Sequence, residues 1–191
     1  GLGDVYKRQG GMSFHGGMIG VFVCGLIYCR YSGLEFWKAA DAYAVTAPLG
    51  ITFVRIGNFI NGELFGRTTE SAWGMVFPHG GPLPRHPSQL YEALFEGIIL
   101  FLILWPLKDK PWQRQGDKKW PHGSMPALFL IFYGIFRYFI EFFREPDPQL
   151  GLLVCNMTMG QLLCSIMVCA GLLLFWYLRS REPRTLSPSV P

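Results

Sequence analysis

The stretch RIGNFINGELFG (residues 55–66) closes an apolar run with an arginine, two asparagines and a glutamate. Ionisable groups at the depth of a lipid bilayer are costly and by default mark a functional site. A second constellation, Arg137, Glu141 and Arg144, is spaced by four and then three, which places all three on one helix face. Arginines converging on one site suit an anion, most simply a phosphate, because the guanidinium fork matches phosphate oxygens. Glu141 is the carboxylate placed to orient them. His15 stands in GGMSFHGG (10–17), where flanking glycines allow close approach of backbone or ligand. A neutral imidazole there can act as a base near pH 7.

Each of these residues also has a plainer reading. Arg144 suits a helix-end charge snorkelling to the interface. Asn61-Gly62 suits a helix-ending turn, which accounts for those two residues but not for Arg55, set among Ile56, Phe59 and Ile60. A lone histidine beside an apolar helix is more often structural than catalytic. In RHPSQLYE (85–92), Ser88 reads as an N-cap, with Tyr91 and Glu92 in the first turns of the helix it opens. His86 and Gln89 are placed to line the rim of a pocket. His79 and His122 lie in Gly/Pro loops with no role suggested.

The elements that must position these residues are membrane helices. Half of the residues are hydrophobic and 16% are charged, well below the roughly 25% charged of a soluble domain. The apolar residues gather in runs suited to a bilayer, which needs about 20 per helix. The patterning predicts an all-α, polytopic helical membrane protein with about five spans, at 16–30, 41–59, 88–105, 125–143 and 159–178. Pro48 and Gly50 predict a kink in the second. Residues 1–9, GLGDVYKRQ, differ in character from the rest of the chain and are expected to be a non-native leader. The membrane domain is expected over 10–178 and a disordered polar tail over 179–191. The chain is expected to begin inside a longer protein.

Alternate loops lie on opposite sides of the membrane. One side collects Arg30, Lys38, Lys108, Lys110, Arg114, Lys118, Lys119, Arg179, Arg181 and Arg184; the other collects Arg67, Arg85 and Arg144. The positive-inside rule then puts the tail and the 106–124 loop in the cytoplasm. His15, the 55–63 segment, the start of the third helix and Arg137, Glu141 and Arg144 all fall toward the outer face. That shared depth favours one site over scattered polar groups. The five cysteines show no metal-ligand or redox spacing. No phosphate-cradling glycine loop is present. Neither a metal, a cofactor nor a nucleic-acid partner is expected.

GGMSFHGG (10–17), RIGNFINGELFGR (55–67), RHPSQLYE (85–92) and RYFIEFFREPD (137–147), in this order and spacing, resemble the prolipoprotein diacylglyceryl transferase family. The resemblance covers residues 10 to about 178. Val54 stands where the family signature has glycine. The resemblance implies seven membrane helices, so two more are expected upstream of the five read here. It implies transfer of a diacylglyceryl group from phosphatidylglycerol to the lipobox cysteine thiol of a prolipoprotein, in the bacterial inner membrane. His15, Arg55, Asn58, Glu63, Gly66, Arg137 and Glu141 match functionally important positions of the family. Arg55 and Arg137 would hold the phosphate, Glu63 and Glu141 would fix those arginines, and His15 would help deprotonate the thiol. Asn61, Arg144, His86 and Gln89 are candidate substrate-binding neighbours. A transporter for an anionic solute and a lipid-binding scaffold without turnover are the alternatives.

Overall fold

The structure, a computed structural model, describes residues 14–112, 120–144 and 158–181. Its elements are helical: α1 (Phe14–Ser32), α2 (Phe36–Ile60), α3 (Ser88–Leu107), α4 (Ser124–Ile140) and α5 (Met159–Arg181). Helices α2, α3 and α5, of 25, 20 and 23 residues, are long and apolar enough to cross a membrane. At 1.5 Å per residue α2 spans about 37 Å, more than a bilayer core of about 30 Å. Helix α4 and the 20–32 part of α1 are shorter apolar helices. Outward-facing Phe53, Leu102, Leu173 and Trp176 are exposed, as lipid-facing side chains are. The chain is a polytopic helical membrane protein.

The chain divides into two compact units, Gly1–Ala39 and Ala40–Pro191. In the first, α1 ends at a turn through Gly33, whose φ of +70° suits glycine. Phe22 meets Phe36 edge-to-face at 5.6 Å.

In the second unit, α2 buries Asp41, Ala44, Val45, Pro48 and Thr52, a single helical stripe. Pro48 sits inside the helix, which runs unbroken from Phe36 to Ile60. The stripe meets α3: Leu100 and Leu104 are fully buried with Ala44, Val45 and Met125. Gly97 of α3 lies so close to Thr52 that any Cβ there would collide with it. Helices α4 and α5 approach through glycines. A Cβ on Gly134 would sit 2.8 Å from Val168, and one on Gly171 would sit 2.8 Å from Ile131. Such small residues are how membrane helices gain close contact without a hydrophobic drive.

Asp41 ties α2 to the start of α4. Its buried carboxylate accepts the backbone N–H of Gly123 and of Met125, each at 3.0 Å, and lies 3.1 Å from His122 Nδ1. The cap residue Gly123 has φ +97° and no side chain to cap with, so Asp41 supplies the acceptor those N–H groups lack. His122 therefore has a structural partner that its loop sequence does not reveal.

Two details depart from expectation. Helix α3 is interrupted by a π-helical segment, Ala93–Ile99. Helix α4 stops at Ile140, and Arg144 lies beyond it, bridged to Gly66.

Candidate functional site

The site is built around Glu92, the fifth residue of α3. Its side chain is fully buried. Oε2 lies 2.6 Å from Arg55 Nε, and Oε1 lies 2.7 Å from Arg137 Nη1. Arg144 Nη1 stands 3.7 Å from the same Oε1. One carboxylate thus joins the end of α2, the start of α3 and the end of α4. Arg137 also approaches Glu96 Oε1 at 3.6 Å and Glu141 Oε2 at 3.2 Å. Removing one member would leave buried charge uncompensated, which costs several kcal/mol.

Glu141 is held in turn by the start of α5. Thr158 Oγ1 donates to Glu141 Oε1 at 3.2 Å. Thr158 and Gln161 form a reciprocal cap: Gln161 N–H donates to Thr158 Oγ1, and Thr158 N–H donates to Gln161 Oε1. Gly160 lies against the Glu141 carboxylate with no room for a Cβ. A carboxylate at a helix N-terminus is also favoured by the helix dipole.

The connection after α2 is a hydrogen-bonded arm rather than an open loop. Gly62 (φ +68°) ends α2. Gly66 N–H donates to His86 O at 2.8 Å, His86 N–H to Arg67 O at 2.9 Å, and Arg67 N–H to Phe143 O at 2.9 Å. A Cβ on Gly66 would collide with the Phe143 carbonyl, so this glycine lets three strands of backbone meet. Ser88 does not cap its helix. Pro87 occupies the cap position, and the Ser88 hydroxyl donates to Leu64 O at 3.0 Å. Gln89 is fully buried and its Nε2 donates to Glu63 O. These two side chains hold the backbone at Leu64, whose φ of +56° is rare for a non-glycine residue.

Beside the cluster lies a cavity of about 510 Å³ with almost wholly apolar walls, lined by Trp73, His86, Tyr91, Phe95, Phe136 and Phe143 among others. His86 Nδ1 and the Tyr91 hydroxyl are 3.1 Å apart at its edge.

The residues singled out in the sequence are distributed as follows. Arg55, Arg137, Glu141 and Arg144 come together. His86 lines the cavity, whereas Gln89 is consumed by the arm. Asn58 is half-buried, three residues from Arg55, and its side chain has no hydrogen bond among the described residues. Asn61 and Glu63 are exposed, and no ion pair among the described residues involves Glu63. The partner of Arg55 is Glu92 instead. His15 is the second residue of α1, and its side chain lies outside the described residues. Glu92, Glu96 and Thr158 do not stand out as site residues in the sequence. The i,i+4 pair of carboxylates on an apolar helix and the Thr-x-x-Gln cap are the signals that could have found them.

A polytopic helical membrane protein with arginines and carboxylates interlocked beside an apolar cavity is the class these features define. The family model for prolipoprotein diacylglyceryl transferase matches residues 4–177, and the chain belongs to that family. It is 54% identical over 178 residues to the phosphatidylglycerol–prolipoprotein diacylglyceryl transferase of Desulfotalea psychrophila, covering 93% of this chain and 65% of that protein. It is 52% identical over 168 residues to the protein of that name from Chlorobaculum tepidum, covering 87% of this chain and 55% of the relative. The Rhodospirillum rubrum protein of that name is 50% identical over 176 residues, 92% of this chain and 62% of the relative. The chain therefore spans a little under two thirds of the length of these relatives.

Proposed function

We propose that this chain carries the site for transferring a diacylglyceryl group from phosphatidylglycerol to the lipobox cysteine of a prolipoprotein. The observation that carries this reading is the shared partner of Arg55 and Arg137. Glu92 engages Arg55 through Nε and Arg137 through Nη1. No partner for the two Nη groups of Arg55 is present among the described residues. Two fixed guanidiniums with N–H groups to spare suit a phosphodiester, which accepts them as a fork.

In the reaction the thiol sulfur attacks the glycerol carbon that bears the phosphate ester. The C–S bond forms, the C–O bond breaks, and the electron pair leaves on the phosphate oxygen. The thiol proton ends on the glycerol phosphate released. A free thiol has a pKa of about 8.5, so a base helps, and His15 is assigned that role. Arg55 and Arg137 stabilise the departing phosphate, and Asn58 is placed to assist. Glu141 holds Arg137, and Arg144 stands by their neighbour Glu92 as a further cation for the phosphate. The apolar cavity offers room for the lipid's glyceride and acyl portion. Asn61, Glu63 and Gly66 act through the arm that closes over the end of α2. The same reading puts the protein in the bacterial inner membrane, the site toward the periplasm and the C-terminus in the cytoplasm, as the loop charges favour. Family membership favours transfer over the anion-transport and lipid-scaffold alternatives.

The test is lipidation of a lipobox peptide in phosphatidylglycerol vesicles by the protein carrying this chain. His15→Ala and Arg137→Ala should abolish transfer, and Arg137→Lys should be nearly as damaging because a point charge cannot replace the fork. Normal transfer by both alanine variants would refute the assignment.

A further inference from the structure

Glu96 stands apart from the other carboxylates of the cluster. It lies in the π-helical segment Ala93–Ile99 and is fully buried. Neither of its oxygens has a hydrogen bond of standard geometry among the described residues, and the Tyr133 hydroxyl approaches it only as a weak, neutral donor. Its nearest cation, Arg137 Nη1 at 3.6 Å, is already bonded to Glu92 at 2.7 Å. The titratable groups whose charges act on it are Arg137 and Tyr133 from α4, Arg55 from α2, Cys164 from α5 and Glu92 on its own helix. A π-helical turn inside an α-helix is frequently found at functional sites.

Charge balance gives this isolation a meaning. Three guanidiniums, on Arg55, Arg137 and Arg144, face three carboxyl groups, on Glu92, Glu96 and Glu141. Fully ionised, the cluster is neutral before any ligand arrives. A phosphodiester adds one negative charge, and an unbalanced charge is expensive where the dielectric is low. Glu92 and Glu141 are each bound to a guanidinium at 3.2 Å or less. Glu96 is the carboxylate with least to lose by becoming neutral.

We propose that Glu96 takes up a proton when a phosphodiester headgroup binds, so that the ligand enters a neutral site. The proton comes from water, converts the Glu96 carboxylate to the acid, and is returned when the ligand leaves. As an acid, Glu96 no longer competes for Arg137 Nη1, and that guanidinium turns its charge to the phosphate. Glu96 is thus a positioning residue, acting through Arg137. This inference rests on the phosphodiester-binding reading above.

Calorimetric titration tests it. The detergent-solubilised protein is titrated with short-chain phosphatidylglycerol in buffers of different ionisation enthalpy, which counts protons taken up per lipid. The expected result is about one proton per lipid, with affinity falling about tenfold per pH unit on the alkaline side. Glu96→Gln cannot ionise and should bind with no proton uptake and no alkaline loss. Short-chain phosphatidylcholine, whose phosphodiester charge is cancelled by its own choline, adds no net charge and should give no uptake. Glycerophosphoglycerol, the same phosphodiester without acyl chains, separates the sources: equal uptake assigns the linkage to the phosphodiester charge, and uptake with the lipid only assigns it to the intact lipid. Infrared spectra of the wild type give a second readout: a protonated carboxylic acid band should grow with phosphatidylglycerol. Binding without proton uptake, or uptake that survives Glu96→Gln, overturns the inference. Failure of the wild type to bind phosphatidylglycerol at all would instead sink the functional reading beneath it.

Discussion

Arg137 Nη1 lies 2.7 Å from Oε1 of the fully buried Glu92, joining α4 to α3 inside the membrane protein. Neither residue's neighbours in sequence announce the other. Because the second oxygen of Glu92 holds Arg55, this pair sets the distance between both guanidiniums. Glu92→Gln should therefore lower lipidation by about a hundredfold or more through lost electrostatic preorganisation. It should also destabilise the fold by about 3 kcal/mol by leaving buried charge unpaired. Lipidation kinetics and thermal unfolding in detergent would check both; wild-type kinetics would refute the central role of Glu92.

Asp41 predicts the opposite pattern. It caps the start of α4 from the opposite end of α2 to Arg55. Asp41→Ala should cost about 2–3 kcal/mol by orphaning the Gly123 and Met125 N–H groups. Transfer per folded molecule should stay near the wild-type value. A lowered melting temperature with an unchanged KM is the expected pairing.

Gly97 packs against Thr52 where α3 crosses α2. Gly97→Ala should destabilise by about 1–3 kcal/mol through overpacking. Thr52→Ala removes the nearest atom and should restore part of that loss, giving a coupling well above 0.5 kcal/mol in a double-mutant cycle. Strict additivity in unfolding measurements would show that the two helices do not meet there.

Thr158 both caps α5 and donates to Glu141. Thr158→Val should cost about 1–2 kcal/mol of stability from the lost cap and reduce kcat by freeing Glu141. Thr158→Ser, which keeps the hydroxyl, should restore both. Comparing the two variants in the lipidation assay separates the hydroxyl from side-chain volume.

Much of this molecule is legible in its sequence. The apolar runs place all five helices to within a few residues, three of them at bilayer length, because burial in lipid demands continuous apolar stretches. Arg55, Arg137, Glu141 and Arg144 stand out because charge is rare in such runs. The residues that escape notice do so because the same logic is too local. Glu92 reads as part of a helix start, since it lies four residues after a serine that looks like a cap. In the structure that serine bonds Leu64 instead, and Glu92 turns inward. Glu63, expected to fix an arginine, is exposed on the arm, while its backbone carbonyl is the group that Gln89 holds.

The sequence by itself determined the helices, the membrane setting, the family and the rarity of the charges, because each depends on composition or on spacing along one element. The tertiary structure decided which carboxylate serves which arginine. Arg55 and Arg137 are 82 residues apart by number, and no periodicity within either helix says that Glu92 stands between them. That choice follows from the close approach of α2 and α3 at Gly97 and from the crossing of the 61–87 arm under Phe143. Only packing in three dimensions brings charges from separate helices within hydrogen-bond distance.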